Sequence, residues 1–201
     1  LALVAPPASA YLFGFSDAHS ANALVLDGVA LPVVDSGWYS GAYHLPDNLN
    51  YLTAVAGDVD ADAYHSFFVF DISTLAGQVG AAAFTLFAFG ASEAANFSLY
   101  DYSGTLADLQ GAAGDLDATF SDLGSGQVYG TRDYAPVDSF QTHTLALTPV
   151  FLADLNAAIA AGEAHFVVGG AARNAAVPEP SALALAALGL VGLAALRRRP
   201  R

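Results

Sequence analysis

The chain has 201 residues, a formal net charge of −13, 55% hydrophobic residues and no cysteine. Between Tyr11 and Ala176 lie 18 of its 19 acidic residues but only two of its six basic ones, Arg132 and Arg173; two cations against 18 carboxylates put that stretch at −16. So acidic a stretch excludes a phosphate-backbone footprint, and with it nucleic acid as a partner, while the lack of cysteine excludes a disulfide framework and thiol or Cys-metal chemistry.

Residues 1–10 are mostly apolar and run into Ala8-Ser9-Ala10, the small-residue form of a signal-peptidase site. They are read as the remnant of a signal peptide. Residues 11–170 follow as one domain, 171–176 as a linker and 177–201 as a separate tail. A domain of about 160 residues can bury a core without disulfides.

Tyr11–Phe15 opens the domain as a strand. Ala23–Leu26 and Val29–Val34 are apolar runs split by Asp27-Gly28, a turn pair. From Ser36 to Tyr51 the Gly, Pro and Asn density predicts a long loop carrying aromatic residues. Tyr64–Asp71 is the strongest strand: it is aromatic and β-branched, with apolar side chains on both faces, which predicts a central place in a sheet. Ala81–Phe89 and Phe97–Tyr102 follow as strands. Leu106–Gln110 reads as one helical turn or a short loop, and Gly111, Gly114, Gly124 and Gly126 mark a loose stretch. Gln127–Tyr134 supplies strand pieces around a bend, and Phe140–Leu147 alternates as a strand. Thr148 can cap a helix with Pro149 at its first position. Leu152, Leu155, Ala158 and Ile159 give that helix an apolar stripe, and Gly162 ends it. His165–Val168 is a closing strand, stopped by Gly169-Gly170. Many short strands, glycine turns and one convincing helix predict a mainly β fold, a jelly-roll-like β-sandwich with one short helix.

The tail is built differently. Val177-Pro178-Glu179-Pro180 precedes 15 unbroken apolar residues, Ala182–Leu196, and then Arg197, Arg198, Arg199 and Arg201. Fifteen is short of the roughly 17–25 residues of a spanning helix, but arginines snorkel to the headgroups and a bilayer thins at modest cost. The arginine cluster resists translocation and acts as a stop-transfer signal, which predicts a C-terminal transmembrane helix with the domain outside.

In order, spacing and terminal position this tail resembles the PEP-CTERM sorting signal of Gram-negative bacteria. The resemblance implies recognition by an exosortase, a membrane cysteine peptidase-like enzyme that cuts near the Pro-Glu-Pro. It further implies transient residence in the inner membrane, then passage to the cell surface or the extracellular matrix, with exopolysaccharide and biofilm as the setting. Phe67–Ser73 followed by Ala83–Phe87, with Ser36–Tyr39 and Leu123–Gly130, is similar to sandwich modules of PEP-CTERM and other bacterial surface proteins. That second resemblance implies a β-sandwich ectodomain and no particular activity.

Asp58, Asp60 and Asp62 alternate along one short segment, a pattern that can converge on a hard cation such as Ca²⁺. As an EF-hand loop the segment fails, because Ala63 stands where Gly is required and Val69 where Glu should be. Asp115 and Asp117 repeat the pattern more weakly. The expectation is therefore no cofactor and a solvated acidic loop, with Ca²⁺ at Asp58, Asp60 and Asp62 as the one metal candidate. His19, His44, His65, His143 and His165 form no closely spaced pair; His65, His143 and His165 fall in strands that could meet in space. No nucleophile elbow and no glycine loop with a following lysine is present, so no catalytic residue is assigned and no enzyme is expected.

Trp38, Tyr39, Tyr43 and Tyr51 sit where loops are expected, and flat rings there can stack on sugar faces. The competing role is to pin a long loop to the core. The function expected is an exported, non-enzymatic surface or matrix protein. The alternatives are a glycan-binding module of the exopolysaccharide matrix, which needs coplanar exposed rings, and a secreted hydrolase, which needs paired carboxylates in a cleft.

Overall fold

The computed structural model describes residues 11–14, 22–41, 43–55, 63–91, 95–111 and 116–174. The strands are β1 (Tyr11–Gly14), β2 (Ala23–Leu26), β3 (Val29–Ser40), β4 (Tyr43–His44), β5 (Tyr51–Ala54), β6 (His65–Asp71), β7 (Ala82–Ala88), β8 (Gly90–Ala91), β9 (Ala95–Asp101), β10 (Val128–Tyr134), β11 (Gln141–Ala146) and β12 (His165–Asn174). The helices are α1 (Leu106–Gln110), α2 (Leu116–Leu123) and α3 (Pro149–Ala161).

The expected hairpin at Asp27-Gly28 forms, with both residues at positive φ (49° and 86°), as a two-residue turn demands. The Asp27 carboxylate locks it by accepting from the Gly80 and Ala81 amides. Strand β3 then does two jobs. Its first half pairs with β2, and its second half pairs with β6 after a register shift between Val33 and Asp35. A bulge there bends the strand, so the path β10-β9-β12-β6-β3-β2-β7-β11 folds back on itself as two layers sharing β3. Phe84 from the β7 layer meets Phe68 and Phe70 of β6 at 5.0 and 6.1 Å, across the core. Leu24, Leu86, Leu145, Phe97, Leu99 and Val168 complete that core from both layers. The fold is the mainly β sandwich expected, with its sheet nearly closed where the edge strands β10 and β11 face each other.

A small sheet, β5-β1-β8, covers the end of the sandwich where β12 finishes, sending Leu12, Tyr51 and Ala91 inward. Helix α3 covers the opposite end, with Phe151 5.2 Å from Tyr129 and 5.5 Å from Phe166. Its start and stop are as expected: the Thr148 hydroxyl accepts from the Phe151 amide, and Gly162 turns left-handed at φ 73°.

Strand β6 is buried on both faces. Phe68 and Phe70 point into the main core; Phe67 and Val69 point outward, where Tyr39, Leu109 of α1 and Leu123 of α2 cover them.

Three details differ from the sequence reading. Ser36–Ser40 continues β3 instead of opening a loop, and its small residues answer a packing need: a Cβ on Gly37 would stand 2.7 Å from the Phe67 ring. Leu116–Leu123, expected to be loose, forms α2, because its glycine neighbours flank the segment while Leu116, Phe120 and Leu123 fall on one helical face. Strand β12 runs through Gly169-Gly170 to Asn174, pairing with β9 to its end. There the glycines make room for the Leu123 backbone and the Phe97 ring.

Candidate functional site

The four aromatic candidates separate. Trp38 and Tyr39 are neighbours in a strand and so point to opposite faces. Tyr39 goes under α1, fully buried, where its hydroxyl donates to the Leu109 carbonyl at 2.5 Å and its ring stacks on His44 at 4.2 Å. Burial, reinforced by Tyr102 and Asp108, pushes that hydroxyl up to about 12. Tyr51 is likewise fully buried and donates to the Phe87 carbonyl at 2.6 Å. Both are core pegs, and burial removes them from any sugar-stacking surface.

Trp38 is half-buried between Tyr64 at 5.2 Å and Tyr43 at 6.0 Å, and Tyr43 is 54% exposed. The Trp38 and Tyr43 planes meet at 45° and so are not coplanar. Beyond them Leu45, Asp47, Asn48, Leu49 and Asn50 line a shallow hollow. The Ser36 hydroxyl fixes this loop by donating to the Leu49 carbonyl. What remains at the surface is an aromatic pair beside a hollow of mixed lining, with exposed Leu45 and Leu49 among its polar residues.

The strand histidines do not converge. His65 opens β6, its ring 4.1 Å from Phe120 and parallel to it, with Nδ1 donating to the Phe120 carbonyl at 2.7 Å. Desolvation lowers its pKa, Arg173 adds to the lowering, and the Phe120 carbonyl opposes it. His165 pairs in register with Asp71, at the far end of β6. His143 is on β11, in the other layer. His165 lines a cleft of about 450 Å³ with Tyr102, Thr105, Leu106, Tyr129 and Glu163. A single carboxylate lines this cleft, so the carboxyl pair a hydrolase needs is not formed there.

A polar cluster that the sequence reading missed joins the two edge strands. Arg132 Nη2 donates to His143 Nδ1 at 3.0 Å, so the ring hydrogen is on Nε2, which donates to the Asp138 carbonyl at 2.9 Å. The Asp138 carboxylate lies 3.6 Å from Arg132 and 3.5 Å from His143. The cue was available: Arg132 is one of two cations in a domain of 18 carboxylates.

Among the described residues no three His, Asp or Glu side chains gather closely enough to hold a metal ion. Asp58, Asp60 and Asp62 lie outside the described residues, as do His19, Asp115 and residues 1–10. Among the described residues no helix is long and apolar enough to cross a membrane; the sorting tail with its stop-transfer arginines lies outside them as well.

Strand β12 delivers the chain at Asn174 directly into that tail. Residues 176–199 match the PEP-CTERM protein-sorting motif. The match takes in Val177-Pro178-Glu179-Pro180, the apolar run and Arg197, Arg198 and Arg199, and it leaves the sandwich out. A PEP-CTERM tail marks an exported, exosortase-sorted protein that is membrane-associated at its C-terminus before processing, with the exosortase as its processing partner. No curated protein matches the chain.

Proposed function

We propose that the mature protein is a non-enzymatic component of the cell surface or extracellular matrix, delivered there by exosortase cleavage of its PEP-CTERM tail. The observation that carries this is the sorting motif placed directly behind a sandwich whose His65, Arg132, Asp138 and His143 are spent on internal contacts. No cofactor is needed for such a role. The test compares the mass and location of the protein in cells with and without the exosortase. The expected result is a product shortened by the tail and moved outward only when the enzyme is present. Unchanged mass and location would overturn the proposal.

A finer role is favoured by the surface pair. The two rings meet at 45° and form no coplanar platform, so we propose that the exposed Tyr43 ring alone stacks weakly on matrix exopolysaccharide, with Trp38, the one tryptophan of the chain, beside it as reporter. Trp38 emission titrated with host exopolysaccharide should shift on binding, and Tyr43→Ala should remove the shift. A flat titration of the native protein would end this reading and leave the sorting role intact.

A further inference from the structure

Strands β10 and β12 finish beside the same residue. Ala95 pairs with Tyr134 on one side and with Asn174 on the other, so those residues lie roughly 10 Å apart, two strand spacings. Asn174 leads into the sorting tail. Tyr134 leads into the turn at Pro136–Asp138 and on to Phe140, where the sandwich exposes apolar surface: Val137 is 77% and Phe140 69% exposed. The Phe140 ring meets Phe89 edge-on at 5.0 Å, and Phe89 meets Phe13 at 5.9 Å. A row of rings therefore backs the tip. Phe140 adopts φ 62°, and its amide donates to the Ala88 carbonyl at 2.6 Å. That left-handed conformation suits Asn or Gly better than Phe, so local backbone preference does not account for the ring. Charge also changes here. Arg132 and Arg173, the two cations of a stretch at −16, both stand at this end, with Asp133 and Asp138 on the same strand and turn.

We propose that this end of the sandwich, with Val137 and Phe140 at its tip, docks on the lipid surface of the membrane that holds the unprocessed tail. The inference rests on the membrane-associated precursor described above. Only residues 175–181 separate Asn174 from the apolar run, and the reach across them is at most roughly 30 Å when fully extended. On so short a tether, contact with the bilayer is intramolecular, at an effective concentration on the order of millimolar. One Phe and one Val would not hold a free domain, since even a whole myristoyl chain binds only marginally and reversibly. The tether supplies what the patch lacks. A Phe ring buries at the boundary of headgroups and acyl chains, and Arg132 and Arg173 at this end can offset repulsion from lipid phosphates. Cleavage near Pro178-Glu179-Pro180 removes the tether, and the patch then releases its hold.

The chain has no cysteine, so a single introduced thiol is a unique label. The full chain, in phosphatidylcholine vesicles, carries an environment-sensitive dye at Val137→Cys or, at the opposite end of β12, at exposed Glu163→Cys. Quenching by spin-labelled lipid should be at least threefold stronger at 137 than at 163. Phe140→Asn, which suits the backbone, should cut quenching at 137 at least twofold, and Phe140→Leu should keep most of it; native Trp38 emission verifies that each variant is folded. Equal quenching at the two positions, with the chain sedimenting with the vesicles, overturns the docking and leaves the sorting reading standing. A blue shift at 137 that grows with protein density but resists lipid quenching identifies a second copy as the occupant and also overturns it. A chain that does not sediment with vesicles overturns the docking and the membrane-associated precursor together.

Discussion

His65 shows how a buried contact becomes a pH dependence. Its ring is clamped between Phe120 and the sheet, and its pKa is lowered, first by desolvation. The unfolded chain therefore takes up a proton at this site more readily than the native one. Stability from neutral His65 is complete above the ordinary histidine value of about 6.5 and is lost as pH falls through the lowered native value. Denaturant midpoints should thus decline as pH drops below about 6.5. His65→Gln should flatten that decline and lower the midpoint at pH 8, since the stacking on Phe120 goes with the ring. Urea titrations of both proteins across pH 5–8 check this, and parallel curves would show that His65 protonates as easily folded as unfolded. Tyr39 and Tyr51 teach a related lesson at the same scale. A tyrosine offers both an apolar ring and a hydroxyl, so its place between glycines and asparagines reads as a surface residue. Only the carbonyls of Leu109 and Phe87, distant in sequence, reveal that both are buried and satisfied.

At the scale of elements, legibility followed punctuation. Helix α3 was readable because Thr148, Pro149 and Gly162 mark its ends, and β6 because its apolar residues leave no polar face. Helix α2 was hidden by glycines just outside it, and the end of β12 by glycines within it. In the second case the glycine records a neighbour rather than a break: a Cβ on Gly169 would overlap the backbone of Leu123, at the C-terminal end of α2. Gly169→Ala should push α2 off the outer face of the larger sheet, with an overpacking cost of about 1–3 kcal/mol. Thermal or urea unfolding would report it, and hydrogen exchange should quicken in α2 more than in α3, which caps an end of the sandwich through Phe151 rather than lying on the sheet's outer face. A variant as stable as the native protein would mean that α2 shifts freely and contributes little cover to Phe67 and Val69. The surface pair Trp38 and Tyr43 was legible as residue types. Their geometry was not, because it depends on β3 reaching Ser40 and on Tyr64 lying alongside.

For the whole molecule, the decisive feature is the seam between β10 and β11. Two edge strands with unpaired backbone groups invite association with other chains, and here they face one another across the nearly closed sandwich. Few bonds span the gap. The Thr148 amide donates to the Tyr129 carbonyl at 2.8 Å, and Arg132 reaches the Thr144 carbonyl while its Nη2 holds His143. Asp138 anchors the same corner, accepting from the Ala135 amide at 2.8 Å and standing 3.6 Å from the Arg132 guanidinium and 3.5 Å from the His143 ring. The arginine also covers the Tyr134 ring, its guanidinium carbon 5.3 Å from the centroid. Removing Arg132 therefore takes away a packed stem as well as a charge. Arg132→Ala should lower stability by about 1–3 kcal/mol, the scale of lost charge-assisted hydrogen bonds with partners left buried. It should also speed amide exchange at Thr148 and along β10 and β11 while leaving β6 and β12 protected. Because the seam holds the turn that presents Val137 and Phe140, the same variant should weaken docking on vesicles in the full chain. Unchanged exchange at both edges would place the closure in the core aromatics instead, with the arginine cluster as a bystander.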